Sequence, residues 1–178
     1  GARVALLTTS GFGDLLRIGY QNRPKLFAVD IKKPDPLFQI SVEVQEWILA
    51  DGTVEIPLDR LAVQRQLKRI YQSGIHSLAI CLMHSYQYPQ HEQIIAELAK
   101  ETGFVEISVS HQVAPEIRII PRAYTTVLDA YLNPVLREYV AGIRGQLSSG
   151  SRLKLFSSSG ALVASDEFTG KDSILSGP

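Results

Sequence analysis

Apolar and polar positions change period along this chain, and each change marks an element. Residues 4–9, Val-Ala-Leu-Leu-Thr-Thr, predict a short buried strand. Ser10-Gly11-Phe12-Gly13 predicts a turn into a helix near 12–20, with Leu15, Leu16 and Ile18 on its apolar side. Pro24, Pro34 and Pro36 then punctuate an extended loop. From 40 to 49 the pattern alternates, with Ile40, Val42 and Val44 set against Ser41, Glu43 and Gln45. A period of two predicts a half-buried strand, and Asp51-Gly52 turns it back onto a partner at 53–56.

Beyond that hairpin the period lengthens. Leu58-Asp59 opens a helix with Asp59 as N-cap, and Val63, Leu67, Ile70 and Tyr71 keep helical spacing until Gly74. A buried strand is predicted at 76–83, a helix from Pro89 carrying Ile94, Ile95 and Leu98 to Gly103, and a strand at 104–109. Helices and strands alternating at this spacing build a parallel sheet through right-handed crossovers. The longest helix is predicted at 122–146, with Tyr124, Val127, Leu128, Tyr131, Val135, Tyr139 and Ile143 as its apolar stripe and Pro134 bending it. Ser148 to Ser151 is a linker, and 154–162 reads as a strand entering a serine-rich turn. The predicted class is α/β, a mixed and mainly parallel sheet with crossover helices and one β-hairpin. The predicted organisation is an α/β region over 1–147 and, over 148–178, a linker with the start of a next lobe.

Composition narrows the function. The 178 residues are enough for one domain with a real core. Lysine plus arginine equals aspartate plus glutamate, 18 against 18, which leaves no electrostatic footprint for nucleic acid or an anionic membrane. Neither a signal peptide nor an apolar stretch near the roughly 20 residues of a bilayer span is present, which reads as a cytoplasmic chain. Cys81 is the single cysteine, inside an apolar run, and is expected to act as a small buried hydrophobe. The chain enters strand directly after Gly1-Ala2-Arg3 and stops at Leu175-Ser176-Gly177-Pro178, so both ends read as cuts.

Candidate chemistry is sparse. His84 follows a predicted parallel strand at the end where such sheets place ligands. It is either a polar contact or proton shuttle for a substrate, or a histidine that fixes the following loop. His91 reads as a first-turn helix residue and His76 as structural, while His111 and Glu116 flank Pro115 in a loop. No spacing among the four histidines and Cys81 matches a metal site. Gly11-Phe12-Gly13 reads as a turn, and neither a Walker-type loop nor a Gly-x-Ser-x-Gly elbow occurs.

Four stretches in one order carry a resemblance that spans nearly the whole chain. They are Arg3 to Gly19 with Gln21-Asn22-Arg23-Pro24; Cys81-Leu82-Met83-His84-Ser85-Tyr86 with Pro89 and His91-Glu92; Ser110 to Tyr139, including Ile120-Pro121-Arg122 and Asp129-Ala130-Tyr131-Leu132; and Ser158-Ser159-Gly160-Ala161-Leu162 with Leu175-Ser176-Gly177-Pro178. Together they resemble the amino-terminal region of the hydantoinase/5-oxoprolinase family, and the third stretch is more similar to 5-oxoprolinases than to N-methylhydantoinases.

That resemblance implies an actin-like, sugar-kinase-like nucleotide-binding architecture and a larger enzyme that couples ATP hydrolysis to opening a cyclic amide. It implies ATP and Mg2+ in the parent and none for the isolated chain, because the family's Asp-x-Gly-Gly-Thr loop lies upstream of residue 1 and a second glycine-rich segment follows residue 178. The isolated chain is accordingly expected to be inactive. The implied partners are the remaining lobes of the polypeptide and a small cyclic amide, with a homodimer left open. No catalytic residue is assigned beyond the candidate His84. Asn22, Arg23 and Arg122 are candidate substrate contacts, because a planar guanidinium can clamp a carboxylate such as that of 5-oxoproline. The alternative reading of Arg23 is that it pins the proline-rich loop, and Arg122 carries the same pair of readings at a helix start. Ser158, Gly160, Ser176 and Gly177 are candidate cofactor contacts, although Ser158-Ser159-Gly160-Ala161 lacks the amide or carboxylate and the second glycine of the family's Ser-(Asp/Asn)-Gly-Gly. An ATP-dependent hydantoinase and a non-catalytic interaction module are the alternative readings.

Overall fold

The computed structural model describes residues 1–20, 33–148 and 151–173. Four strands, β1 (Val4–Thr9), β2 (Ile40–Val44), β5 (Ser77–Cys81) and β6 (Glu106–Val109), form one parallel sheet in the order β2-β1-β5-β6. All six residues of β1 are buried, as a central strand covered on both faces requires. Its side chains part by the two-residue period. Ala5 and Leu7 join Val63, Leu67, Ile95 and Leu98 on one face, and Val4 and Leu6 join Leu16, Phe38, Ala123 and Val127 on the other.

The first face is covered by α2 (Arg60–Gln72) and α3 (Gln90–Thr102). Asp59 caps α2 as expected, its carboxylate accepting from the backbone N–H groups of Leu61 and Ala62. Gly103 ends α3 at a φ of 108°, which only glycine adopts without strain. The opposite face is covered by α1 (Leu15–Ile18) and α5 (Ile119–Arg144), with a short α4 (Ser110–Val113) between β6 and α5. The helix expected over 12–20 is one turn, because Phe12 is used in a turn closed on Thr9 and Gly19 takes a φ of 52°. Among the described residues no helix is long and apolar enough to cross a membrane.

Two expectations about the strands are corrected. The single strand expected over 40–49 is two. Residues 40–44 pair in parallel with β1, after which the chain leaves the sheet at Gln45-Glu46, and β3 (Trp47–Ile48) forms the hairpin with β4 (Val54–Ile56). A second hairpin, β7 (Lys154–Phe156) with β8 (Leu162–Ala164), closes over the serine-rich turn, so the described residues hold two hairpins rather than one.

The buried side of α5 also differs from its apolar stripe. Tyr124, Val135 and Tyr139 are exposed, while Arg122, Thr126, Asp129 and Asn133 are buried beside Ala123, Val127 and Ala130. Spaced by three and four, those polar residues form one seam. At its far end Asp129 and Asn133 accept the backbone N–H groups of Lys171 and Gly170, which ties the 3-10 turn Gly170–Asp172 to the helix.

Candidate functional site

The chain leaves β1 through α1 on one face of the sheet and leaves β5 through α3 on the other. Because β1 and β5 are neighbours, their outgoing chains part to opposite faces at the carboxyl edge, the place where open parallel sheets bind ligands. His84 lies in the loop after β5. It is the one non-glycine residue with positive φ among the described residues, at 56°. Histidine is among the few residue types that enter the left-handed region with any frequency. Its Nδ1 lies 2.7 Å from the carbonyl oxygen of Ile48. A carbonyl only accepts, so Nδ1 carries the hydrogen and Nε2 keeps the lone pair in the neutral ring.

Beneath His84 lies a network with no exposed member at its centre. The Glu92 carboxylate, fully buried in the first turn of α3, accepts at Oε1 from the Leu82 N–H (2.8 Å), the Ser85 hydroxyl (2.8 Å) and the Ser110 hydroxyl (2.6 Å). Its Oε2 accepts from the His111 N–H (3.1 Å) and His111 Nδ1 (2.7 Å). Arg122, also fully buried, donates from one terminal nitrogen to the Leu82 carbonyl (2.8 Å) and from the other to the Ser85 and Ser110 hydroxyls. Its guanidinium carbon sits 5.7 Å from the ring centre of Tyr86, a cation–π contact.

A second buried carboxylate stands where β2 gives way to β3. Glu46 accepts from the Thr9 hydroxyl at Oε1, and its Oε2 lies 2.7 Å from His91 Nδ1. Thr9 in turn accepts the Met83 N–H at 2.9 Å, so this chain of contacts also ends on the loop that carries His84. In His84, His91 and His111 alike, Nδ1 faces a fixed oxygen that accepts its hydrogen. Among the described residues no group of three or more histidine, cysteine or acidic side chains could hold a metal ion.

The Gly11-Phe12-Gly13 turn sits at the same edge. Its Gly13 N–H donates to Glu43 Oε1 at 2.9 Å, and the backbone N–H groups of Gly13 and Gly11 hold the Glu43 carboxyl below the usual range. A phosphate there would have to displace that carboxylate. Ser158 and Gly160 belong to the β7–β8 turn, where Ser158 donates from its hydroxyl to the Asp172 carbonyl and Gly160 has a φ of 79°. Asn22, Arg23, Ser176 and Gly177 lie outside the described residues. Cys81 is buried, and loss of solvation pushes its thiol up to about 12.

Sequence reasoning named His84 and Arg122 as candidates and gave no role to Thr9, Glu46, Ser85, Glu92 or Ser110, which the structure places in the same network. Only the adjacent pair His91-Glu92 behind Pro89 hinted at the network, and the partners of both residues are distant in sequence.

Residues 1–103 match the family model described as the hydantoinase/oxoprolinase N-terminal region, and residues 122–178 match the model described as hydantoinase/oxoprolinase. The 5-oxoprolinase of Saccharomyces cerevisiae is 38% identical over 207 aligned residues, which take in 100% of this chain and 16% of that protein. 5-oxoprolinase 1 of Arabidopsis thaliana is 37% identical over 200, with the same coverage of 100% and 16%. The crystal structure of an ATP-dependent caprolactamase from Pseudomonas jessenii aligns with a TM-score of 0.84 at 28% identity, over 100% of this chain and 27% of its own. Nucleotide-free acetone carboxylase shares the fold, with a TM-score of 0.78 at 18% identity over 99% of this chain and 27% of its own. The chain therefore spans 16% of the curated relatives' length, and the mainly parallel α/β sheet is common to the solved neighbours. With one model matching more than half of its residues and a second matching its carboxyl-terminal third, this chain belongs to the hydantoinase/oxoprolinase family.

Proposed function

We propose that this chain is part of a larger ATP-dependent hydrolase of cyclic amides, and that the edge at the carboxyl ends of β1 and β5 faces the substrate. The single observation that carries the reading is His84, set in a left-handed conformation at the switch point with Nδ1 tied and Nε2 open. The substrate proposed first is 5-oxoproline, because the 5-oxoprolinases named above are the more similar relatives, at 38% and 37% identity. Other lactams or hydantoins form the second reading, supported by the likeness to the caprolactamase.

Opening a lactam adds water across its C–N bond. The water oxygen bonds to the carbonyl carbon, the C–N bond breaks, and the ring nitrogen takes a proton. Nε2 of neutral His84 is an acceptor for the water's proton and, once protonated, a donor to the leaving nitrogen. Ile48 keeps the ring from turning during both transfers. ATP, when bound, would supply activation of the amide oxygen. The Gly13 N–H is taken by Glu43 and the described residues hold no metal cluster, so in this proposal most of the contacts to ATP and Mg2+ come from other parts of the polypeptide. The carboxylate-clamping role of Asn22 and Arg23 and the cofactor role of Ser158, Gly160, Ser176 and Gly177 stay in the proposal as roles in the complete protein. So does the assignment of 148–178 as linker and start of a next lobe. Arg122 belongs below that edge, fully buried, where its terminal nitrogens are already engaged.

The test is to supply the complete polypeptide with ATP, Mg2+ and, in turn, 5-oxoproline, hydantoin and caprolactam, while measuring ring opening and phosphate release together. Ring opening of 5-oxoproline with matching phosphate release is expected. Absence of ATP-dependent ring opening with all three overturns the reading.

A further inference from the structure

We infer that Arg122 and Glu92 are positioning residues for His84, acting as one clamp on the peptide groups that precede it. The inference rests on the proposal that His84 meets the substrate. The pairing of β5 ends at Cys81, opposite Thr8, so the backbone beyond it has no strand to bond to. Side chains take over. The Leu82 N–H donates to Glu92 and the Leu82 carbonyl accepts from Arg122, both at 2.8 Å. The next N–H, of Met83, donates to Thr9 at 2.9 Å. After His84, the hydroxyl of Ser85 is held between the same two charges. His84 is therefore bracketed on both sides by one buried acid and one buried base carried on different helices.

Stability alone does not account for this pair. Two charges taken fully out of water are costly, and an apolar pair of similar volume often serves the fold as well. What an apolar pair cannot do is grip both the N–H and the C=O of one residue, Leu82, and so fix the two successive peptide groups before His84. His84 needs such a grip, because a non-glycine residue at positive φ persists only where its surroundings over-determine it. Ser85 and Ser110 complete the arrangement. They accept from Arg122 and donate to Glu92, so each oxygen is used and the opposite charges are joined without touching. Lysine at 122 would keep the charge, but one ammonium at the end of a flexible stem cannot reproduce the planar fork that reaches Leu82 and Ser85 together.

The test is a double-mutant cycle in the complete polypeptide, reading kcat for ATP-dependent opening of 5-oxoproline. Arg122→Lys is expected to lower kcat roughly 10- to 100-fold with the wild-type histidine in place, the scale of a small misplacement of a reacting group. KM for ATP should be little changed. In a His84→Asn background, Arg122→Lys should leave the residual kcat unchanged, since nothing remains to be positioned. An equal fall in both backgrounds, or no fall in either, overturns the inference while leaving the role of His84 intact. Should His84→Asn itself leave kcat at the wild-type value, the reading of His84 fails first, and the inference falls with it. If Arg122→Lys does not fold, Ser85→Ala, which cuts one link of the clamp, is read through the same cycle with the same expected and contrary outcomes.

Discussion

Oε2 of Glu46 lies 2.7 Å from Nδ1 of His91 and joins the point where the chain leaves the main sheet to the first turn of α3, with both residues buried. The same carboxylate takes the Thr9 hydroxyl, so one acid satisfies donors from β1 and α3. Replacing Glu46 with leucine keeps the volume and removes both acceptors. Leaving buried donors without partners costs about 1–3 kcal/mol for each group. The expected outcome is a lower urea midpoint with an unchanged slope. A midpoint equal to wild type would show that the dyad contributes nothing to the fold.

Gly170 is expected to tolerate no side chain. A Cβ there would stand 2.8 Å from the Asp129 carbonyl oxygen and 2.9 Å from Leu132 Cβ, both on α5 rather than at the end of a flexible side chain. Gly170→Ala should push the 3-10 turn off the helix at a cost of about 1–3 kcal/mol, typical of overpacking. Hydrogen exchange at the Gly170 and Lys171 amides, which donate to Asn133 and Asp129, reads this directly. Unchanged protection of both amides would contradict it.

Two glutamates should respond to acid in opposite directions. Burial raises Glu106 above the usual carboxyl range, although Asn133 donates to it and Arg137 stands 2.9 Å away, off-angle for a hydrogen bond. A raised folded-state value contributes stability that is present below the unfolded value and lost as pH rises through the folded one. Glu43, lowered by the Gly13 and Gly11 N–H groups, behaves in reverse, and its contribution is lost as pH falls. Taken from about pH 7 to about pH 4, wild type should gain in melting temperature relative to Glu106→Gln and lose relative to Glu43→Gln. Parallel profiles for the two variants would contradict both assignments.

Much of the frame was legible because it rests on local signals. Asp59 before an apolar-periodic run, Gly103 after one, and strands alternating with helices of crossover length all act within a few residues. The split at Gln45-Glu46 was not legible, because the alternation of 40–44 runs on into Trp47-Ile48 and period alone cannot tell which strand each half pairs with. The inner face of α5 was misread for a related reason. An apolar stripe finds the buried side only where the core is apolar, and here Arg122, Asp129 and Asn133 are paid for by partners such as Ser85, Ser108, Ser110 and Glu106. Those partners lie 12 to 37 positions away for Arg122, beyond any local window.

Cys81 should be chemically silent in the folded chain. Its side chain is fully buried and its thiol is pushed up to about 12, so almost no thiolate forms near neutral pH. A thiol-specific reagent should label it only after denaturant is added. Stoichiometric labelling of the native protein at a rate typical of free cysteine would show that the sheet opens at β5.

The central claim is that His84 meets the substrate through Nε2. Asparagine at 84 is the sharpest probe. It tolerates positive φ, and its side-chain amide can still donate to Ile48, but it carries nothing in place of Nε2. The decisive measurement is kcat for ATP-dependent opening of 5-oxoproline by the complete polypeptide, wild type against His84→Asn, with melting temperature recorded beside it. A fall of roughly 100- to 10,000-fold, the usual contribution of a positioned acid–base group, with the melting temperature unchanged is the predicted result. An unchanged kcat, or a loss of activity matched by a loss of stability, would contradict it.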